Sequence, residues 1–446
     1  IAGVQVARGY LNRPELSNEK FIADTFSSDK NAKMYRTGDL GRWMFDGNIE
    51  CLGRIDDQIK IRGFRIELGE VESTLNQLEQ IDDSCAIVKP DSSGNNRLVS
   101  YYTPNPKVLK LKEKELFTGQ VANWKALYET EYGQTEDAED VDEEFNLIGW
   151  NDSFTAEPIP PPDMKQWVDD IVNRILSENP KHVLEIGCGT GLIFYPLAGK
   201  VQKYTGTDLS ESSIKQIKAR IAKGLRDYGD FSFSSGPAHE IKIADNETVD
   251  TIIINSVAQY FPGEDYMDAV LENCFKILKG NGKIIIGDIR DLRLLESFKR
   301  RLNIQKLQPN NSIRSFNWSV DEDVLKEEEL CFAPEYFFGL NERFKAITHV
   351  DIQGKQGTFV NELSAYRYNV VIYVGDKNAI ANPDWKAYSP QTLQDVKNEL
   401  QSKVNTIAIK DVPNPRLWQD RLLDKALKNK NYFTVADLQT ASANPE

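Results

Sequence analysis

Apolar blocks that close on an acidic or polar residue recur through the middle of the chain, and each predicts a strand. Val183–Gly191 (V-L-E-I-G-C-G-T-G) is a strand-forming run that ends in Glu185 and passes into three glycines. Tyr204–Asp208 (Y-T-G-T-D) and Ile241–Asp245 (I-K-I-A-D) repeat the pattern as second and third strands. Val249–Asn255 and Gly282–Asp288 supply a fourth and a fifth, Thr348–Gln353 and Asn369–Val374 a sixth and a seventh. Between them the period changes. Leu192–Lys200 is largely apolar with no breaker before Pro196, and Tyr266–Lys279 carries apolar residues at helical spacing with Lys279 and Gly280 as stop signals. Pro158–Pro162 opens another helix, Asp163–Ser177. Strands alternating with helices predict a doubly wound α/β domain.

Residues 1–105 follow a different pattern. Ile59, Ile61 and Ile66 are interleaved with charges, as in a half-buried strand. Glu67–Gln77 reads as a helix, and Cys85–Lys89 with Leu98–Tyr102 as two further strands. At 446 residues two or three domains are expected.

The acids give the α/β blocks a chemical meaning. Glycine lets the turn after Glu185 approach a ligand that a Cβ would push away. A carboxylate about twenty residues later, Asp208, suits a pair of ribose hydroxyls, because it accepts hydrogen bonds and cannot donate. Asp245 would receive an adenine amino group. A nicotinamide site would need G-x-G-x-x-G, and the glycines of G-C-G-T-G end too early. A buried turn without a ligand competes with this reading, but acids after three successive strands weigh against it.

A formal net charge of −14 argues against nucleic acid and anionic membrane surfaces as partners. No apolar run is long enough to span a bilayer, and no signal peptide opens the chain. The five cysteines (Cys51, Cys85, Cys188, Cys274, Cys331) lack metal-ligand spacing, so no metal site is expected and reduced cytoplasmic thiols are. Of the three histidines, His182 is expected to be exposed, His349 to flank the sixth strand, and His239 keeps a weak claim to the site. The chain starts in mid-motif at Ile1, which predicts an excised segment.

The stretch from Val183 to Asp288 resembles class I S-adenosylmethionine-dependent methyltransferases. The resemblance implies a seven-stranded Rossmann-like sheet with helices on both faces. It also implies cofactor contacts from Glu185, Gly187, Cys188, Gly189, Gly191, Asp208, Leu209, Ala244, Asp245, Asn255, Ser256 and Tyr260, with S-adenosylhomocysteine as product. Residues 1–105 carry a second resemblance. Val6-Ala7-Arg8-Gly9-Tyr10, Tyr35-Arg36-Thr37-Gly38-Asp39-Leu40 and the run Gly53–Glu67 resemble nonribosomal peptide synthetase adenylation domains. In that family the acid matching Asp39 holds the ribose of ATP, Arg54 matches a contact to the same ribose, and Asp56 matches the hinge. Gly63 matches a glycine lining the pantetheine tunnel. The nucleotide loop and the late lysine of the family are absent from this chain, so ATP would serve only the complete domain.

That resemblance stops near Pro104 with the small α+β subdomain half made, the layout of an adenylation domain interrupted by a methyltransferase. The expected division is 1–105 for the adenylation part and 106–446 for the insert. The insert would comprise a helical lid (106–180), a cofactor-binding core (181–375) and a helical tail (376–446). Within it, Phe117–Glu131 is expected as a helix and Gln134–Glu144 as a solvated acidic loop. Phe145–Thr155, Asn255–Pro262, Asp288–Leu292 and Asn361–Tyr368 resemble peptide-synthetase N-methyltransferase inserts, and the charged stretch between Asn303 and Phe344 is expected in an acceptor lid.

The resemblance implies methylation of the α-amine of an aminoacyl thioester on a phosphopantetheinylated peptidyl carrier protein. The remaining adenylation and condensation domains would be partners. Methyl transfer leaves geometry much of the work. Glu362 is the candidate proton acceptor, Tyr366 a candidate for orienting the amine through its ring face, and Asp288 and Tyr260 further candidates. Arg367 reads equally as a structural ion-pair partner. O- or C-methylation, or a catalytically silent scaffold, are the alternatives.

Overall fold

The computed structural model describes residues 1–55, 58–61, 63–90, 94–108, 119–126, 144–244, 246–375, 385–401, 407–429 and 431–443. It divides into two compact units, Ile1–Lys112 and Glu113–Glu446.

The first unit is a set of antiparallel pairs. Phe21–Ala23 pairs with Lys33–Tyr35, Asp39–Trp43 with Ile49–Arg54, Gln58–Ile61 with Phe64–Glu67, and Ile81–Pro90 with Asn96–Pro104. The alternation of Ile59, Ile61 and Ile66 is thus two strands of one hairpin, in which Ile59 lies opposite Ile66. The helix Leu68–Leu75 is tied to the long hairpin by Glu72, whose carboxylate accepts the Ala86 N–H at 2.8 Å. Among the described residues, Phe21 and Ala86 are its buried apolar side chains, while Trp43, Phe45 and Phe64 are exposed. The unit has hairpins but little core.

The second unit is built on one seven-stranded sheet. Its strands are β1 (His182–Ile186), β2 (Lys203–Asp208), β3 (Asp230–Ser235), β4 (Thr251–Asn255), β5 (Gly282–Arg290), β6 (Ile347–Gly354) and β7 (Arg367–Val374). The order is β3-β2-β1-β4-β5-β7-β6, with β7 antiparallel to both neighbours and the rest parallel. Successive side chains of a strand face opposite ways, and both faces are apolar here. Leu184, Ile252, Ile254, Ile284 and Ile286 pack with Met267, Val270 and Leu271 of the helix Glu264–Leu278. Val183, Ile253 and Ile285 pack the other way, with Trp167 and Ile171 of the helix Pro161–Ser177. The unbroken apolar runs are what a sheet covered on both sides requires.

The third strand is a correction. Ile241–Ala244 forms no strand and Asp245 lies outside the described residues; the third strand is Asp230–Ser235, at the sheet edge. Only Phe233 of that strand is buried, so the serine-rich run lacks the apolar signature of its neighbours. The helix after the glycine turn is also shorter than expected, Phe194–Leu197. His182 is buried rather than exposed. Its Nδ1 lies 2.7 Å from the Thr248 carbonyl and its Nε2 3.1 Å from the Thr205 hydroxyl, which fastens β1 to its surroundings.

Between β5 and β6 run the helices Leu295–Lys306 and Ile313–Leu325 and two single turns, and among the described residues after β7 lie the helices Pro390–Gln401, Trp418–Leu427 and Val435–Ala443. The excursion and the tail share a core of Phe316, Val320, Leu423, Val435 and Leu438. The Phe117–Glu131 helix is described over residues 119–126, and the acidic run only at Glu144. Glu144 is not merely solvated. It pairs with Arg226 and accepts the Tyr228 hydroxyl at 2.8 Å. No helix of the described residues is long and apolar enough to cross a membrane.

Candidate active site

At the carboxyl ends of β1 and β2 the chain reverses in a turn drawn tight by its own amides. The Gly187 N–H donates to the Thr207 carbonyl at 2.7 Å, and the Gly189 N–H to Asp208 Oδ2 at 2.7 Å. Asp208 Oδ1 accepts the Ser210 N–H at 2.8 Å, at the cap of the helix Glu211–Ala222. Gly187 has φ +79°, and a Cβ there would stand 2.3 Å from Val257. Gly191 has φ +93° and would meet the Tyr195 ring at 2.8 Å. Both positions therefore need glycine. Two oxygens of Asp208 can accept more bonds than the two amides supply.

Glu185 is buried in β1 and receives the Tyr204 hydroxyl. Burial pushes its carboxyl up to about 8; Tyr204 pulls it down and the nearby Asp208 charge raises it. The sign follows. The native state holds a proton that the unfolded chain releases near pH 4.5, so stability falls as pH rises through the window from about 4.5 to 8 and then levels off. Glu185→Gln is expected to flatten this decline in a melting-temperature series from pH 5 to 9. An equal decline in both proteins would reject a protonated Glu185.

A cleft of about 770 Å³ is lined by this turn and Asp208 and also by Glu362, Tyr366 and Arg367. Leu209, Cys188, Asn255, Ser256 and Tyr260 lie on its wall. Ala244 does not. The third strand ends at Ser235, so Gly236, Pro237 and Ala238 form that part of the wall and Ala244 is exposed.

Asp288 is fully buried and does not line the cleft. It sits at φ +67°, at a bulge in the β5–β7 ladder. One carboxylate oxygen is 2.9 Å from the buried Lys355 ammonium and accepts the Trp167 indole N–H at 2.9 Å. The other accepts from Arg367 at 2.6 Å and the Ser256 hydroxyl at 3.1 Å. Burial alone would raise its proton affinity, but Lys355 and Arg367 hold the carboxyl well below the usual range. Such a group is an anchor and a poor base, which corrects its place among the proton acceptors.

Arg367 also approaches the second carboxylate, Glu362, at 3.7 Å. Glu362 starts a single turn capped by Asn361, and its Oε2 accepts the Ser153 N–H at 2.9 Å. Phe145–Thr155 therefore meets Asn361–Tyr368 at the cleft. The Tyr366 hydroxyl donates to Asp420 at 2.8 Å and accepts from Arg301 at 3.4 Å. Burial and Asp420 push the phenol far up, so it stays neutral. Its ring, not its proton, is what it can offer. The Tyr260 ring packs against Trp124 with centroids 4.8 Å apart.

Several residues of the site carry no local signal. Lys355 looks like a surface loop lysine in G-K-Q-G, and Asp420 like one acid of a charged tail helix. Gln259 borders the cleft with its Nε2 donating to Ser256 at 3.1 Å, and its buried Oε1 meets no donor among the described residues. The N-S-V-A-Q-Y stretch could have flagged it. Glu327 and Glu329 reach the cleft from the charged excursion and pair with Arg290 at 2.9 and 2.7 Å. In the first unit Asp39 lies opposite Arg54 on adjacent strands, and Asp56 is outside the described residues.

Residues 177–332 match the family described as "Methyltransferase domain". Chondramide synthase cmdD of Chondromyces crocatus is 35% identical over 94% of this chain and 11% of its own length. The probable non-canonical nonribosomal peptide synthetase CymA of Salinispora arenicola is 34% identical over 94% of this chain and 5% of its own. The nonribosomal peptide synthetase dtxS1 of Metarhizium robertsii is 31% identical over 96% and 5%. The chain thus spans about a tenth or less of the length of these relatives. Among solved structures, N-methyltransferase NodS from Bradyrhizobium japonicum with S-adenosyl-L-homocysteine aligns over 56% of this chain and 98% of its own. The identity is 17% and the TM-score 0.36, too distant a likeness to argue from. The chain carries a methyltransferase domain, and its homologues are nonribosomal peptide synthetases.

Proposed function

We propose that this methyltransferase domain, in a segment homologous to peptide synthetases, methylates the α-amine of an aminoacyl thioester. The thioester would be carried on a phosphopantetheinylated peptidyl carrier protein, and S-adenosylmethionine would be consumed to S-adenosylhomocysteine. The observation that supports this best is that one cleft is lined both by the glycine turn with Asp208 and by Glu362 with Tyr366. When bound, S-adenosylmethionine supplies a methyl group on a sulfonium sulfur, open to in-line displacement. The residues present fit it: Gly187 and Gly191 hold the positive-φ turn that lines the cleft beside Asp208, and a carboxylate at that place is an acceptor of the kind ribose hydroxyls need.

An α-ammonium has an ordinary pKa of about 7.7–8.0, and the adjoining thioester lowers it. A weak base is then sufficient. Glu362 takes the proton, directly or through a water, while the Ser153 amide and Arg367 hold its carboxylate in place. The Tyr366 ring faces the developing cation. Trp124, Trp150 and Phe298 on the same wall limit water.

The first unit is proposed as the C-terminal part of an adenylation domain, with the second unit inserted in it. Asp39 and Arg54 would meet ATP only in the complete domain, with Asp56 as the hinge and the other synthetase domains as partners. The test is mass spectrometry of an aminoacylated carrier protein incubated with S-adenosylmethionine and this protein. A gain of one methyl group, mapped to the α-amine by fragmentation, is expected. A methyl group on oxygen or carbon, or no gain although the cofactor binds, would overturn the assignment.

A further inference from the structure

The acceptor side of the cleft is finished by a part of the chain that lies beyond both the sheet and the matched methyltransferase residues. After β7 the chain returns with Pro415–Leu417 and the helix Trp418–Leu427. Arg416 donates to the Lys355 carbonyl at 2.6 Å and the Gly357 carbonyl at 2.7 Å, gripping the loop that carries the Lys355 ammonium. One helical turn later Asp420, 5% exposed, accepts the Tyr366 hydroxyl at 2.8 Å. Leu417 packs with Phe298, Leu302 and Tyr366 in the same small cluster.

From this geometry we infer that Asp420 is a positioning residue for methyl transfer, fixing the Tyr366 ring in the acceptor wall by accepting its phenolic proton. The inference rests on the proposed place of Tyr366 beside the acceptor amine. The hydroxyl is spoken for twice: it donates to Asp420 and accepts from Arg301, whose guanidinium lies 4.9 Å over the Phe154 ring. Rotation about the Cα–Cβ bond would swing the tip of a tyrosine ring away, and the two bonds at the tip oppose that swing. Phe298 and Phe154, with ring centroids 5.2 and 6.3 Å from Tyr366, flank it without fixing its tip. The tail therefore sets the place of a ring carried by the residue that joins the Glu362 turn to β7.

A double-mutant cycle separates this role from simple docking of the tail helix. Asp420→Ala and Tyr366→Phe are each expected to lower kcat/KM by roughly tenfold, with S-adenosylhomocysteine affinity within about twofold of the parent. The double variant is expected to lose no more than either alone, because both remove one hydrogen bond. Asp420→Asn, whose carboxamide oxygen still accepts the phenolic proton, is expected to recover most of the rate. A second readout needs no turnover. In protein labelled with 3-fluorotyrosine, the fluorine resonance that Tyr366→Phe removes should shift in Asp420→Ala. Losses that multiply in the double variant, or an unmoved fluorine resonance, would overturn the inference. If the parent fails to methylate, the acceptor reading falls, and the fluorine resonance alone decides whether Asp420 holds the ring.

Discussion

Asp208→Ala is expected to weaken S-adenosylhomocysteine binding by about 100-fold or more and to abolish methyl transfer. The carboxylate stands at the end of β2 with two loop amides on it, from Gly189 and Ser210. If it also accepts two ribose hydroxyls, alanine removes charge-assisted bonds worth about 1.5–3 kcal/mol each. The same change leaves the two amides without their acceptor and loosens the turn that Gly187 and Gly191 shape. Asp208→Asn keeps one acceptor oxygen and should fall between. Calorimetric titration gives the affinity, and the melting temperature of the unliganded proteins separates loosening of the turn from loss of the ribose contact. Binding within a few-fold of the parent would remove the ribose assignment.

Legibility along the chain followed burial. Of the strands covered on both faces, β1, β4, β5 and β7 carry nearly continuous apolar runs and their positions follow from that, whereas β2 (K-Y-T-G-T-D) is marked by its β-branched threonines and its closing acid. β3 sits at the edge with one buried residue, Phe233, so its D-F-S-F-S-S reads as loop. That single miss moved the wall of the cleft, exchanging Ala244 for Gly236–Ala238. His182 departs from its pattern for a related reason. A polar residue opening a strand looks exposed, and only the fold brings the Thr248 carbonyl and the Thr205 hydroxyl to its two nitrogens. The N-E-L-S-A-Y-R-Y motif placed Glu362, Tyr366 and Arg367 together because they share one turn and the start of β7. Lys355 and Asp420 complete the same site from distant loops and helices. Their pairing with Asp288 and Tyr366 is tertiary and leaves no periodic mark.

The buried charges around Asp288 give the second large expectation. Asp288→Ala should lower folding stability by about 3–5 kcal/mol, the usual cost of removing one partner from a buried ion pair. Lys355 and Arg367 would then lie buried with no carboxylate between them; the Lys355 side chain is only 1% exposed. Lysine can shed its proton, and burial already pulls its ammonium down. Arginine cannot, so Arg367 would turn to its other neighbour, Glu362, now 3.7 Å away. A tighter pair there lowers the basicity of the proposed proton acceptor, so kcat should fall while cofactor affinity holds. The pH dependence has a definite sign. The native Asp288 carboxyl is held far below its ordinary value of 3.8, so its contribution is complete above that value and is lost as pH falls below it. Denaturant unfolding should therefore show a parent-to-Asp288→Asn difference that is constant from pH 7 to 5 and shrinks below about 4. Asp288→Asn combined with Lys355→Met removes one charge of each sign and should regain part of the loss. If the double variant is as unstable as the sum of the singles, the two charges do not support each other. If Asp288→Asn leaves kcat untouched, Arg367 does not govern Glu362.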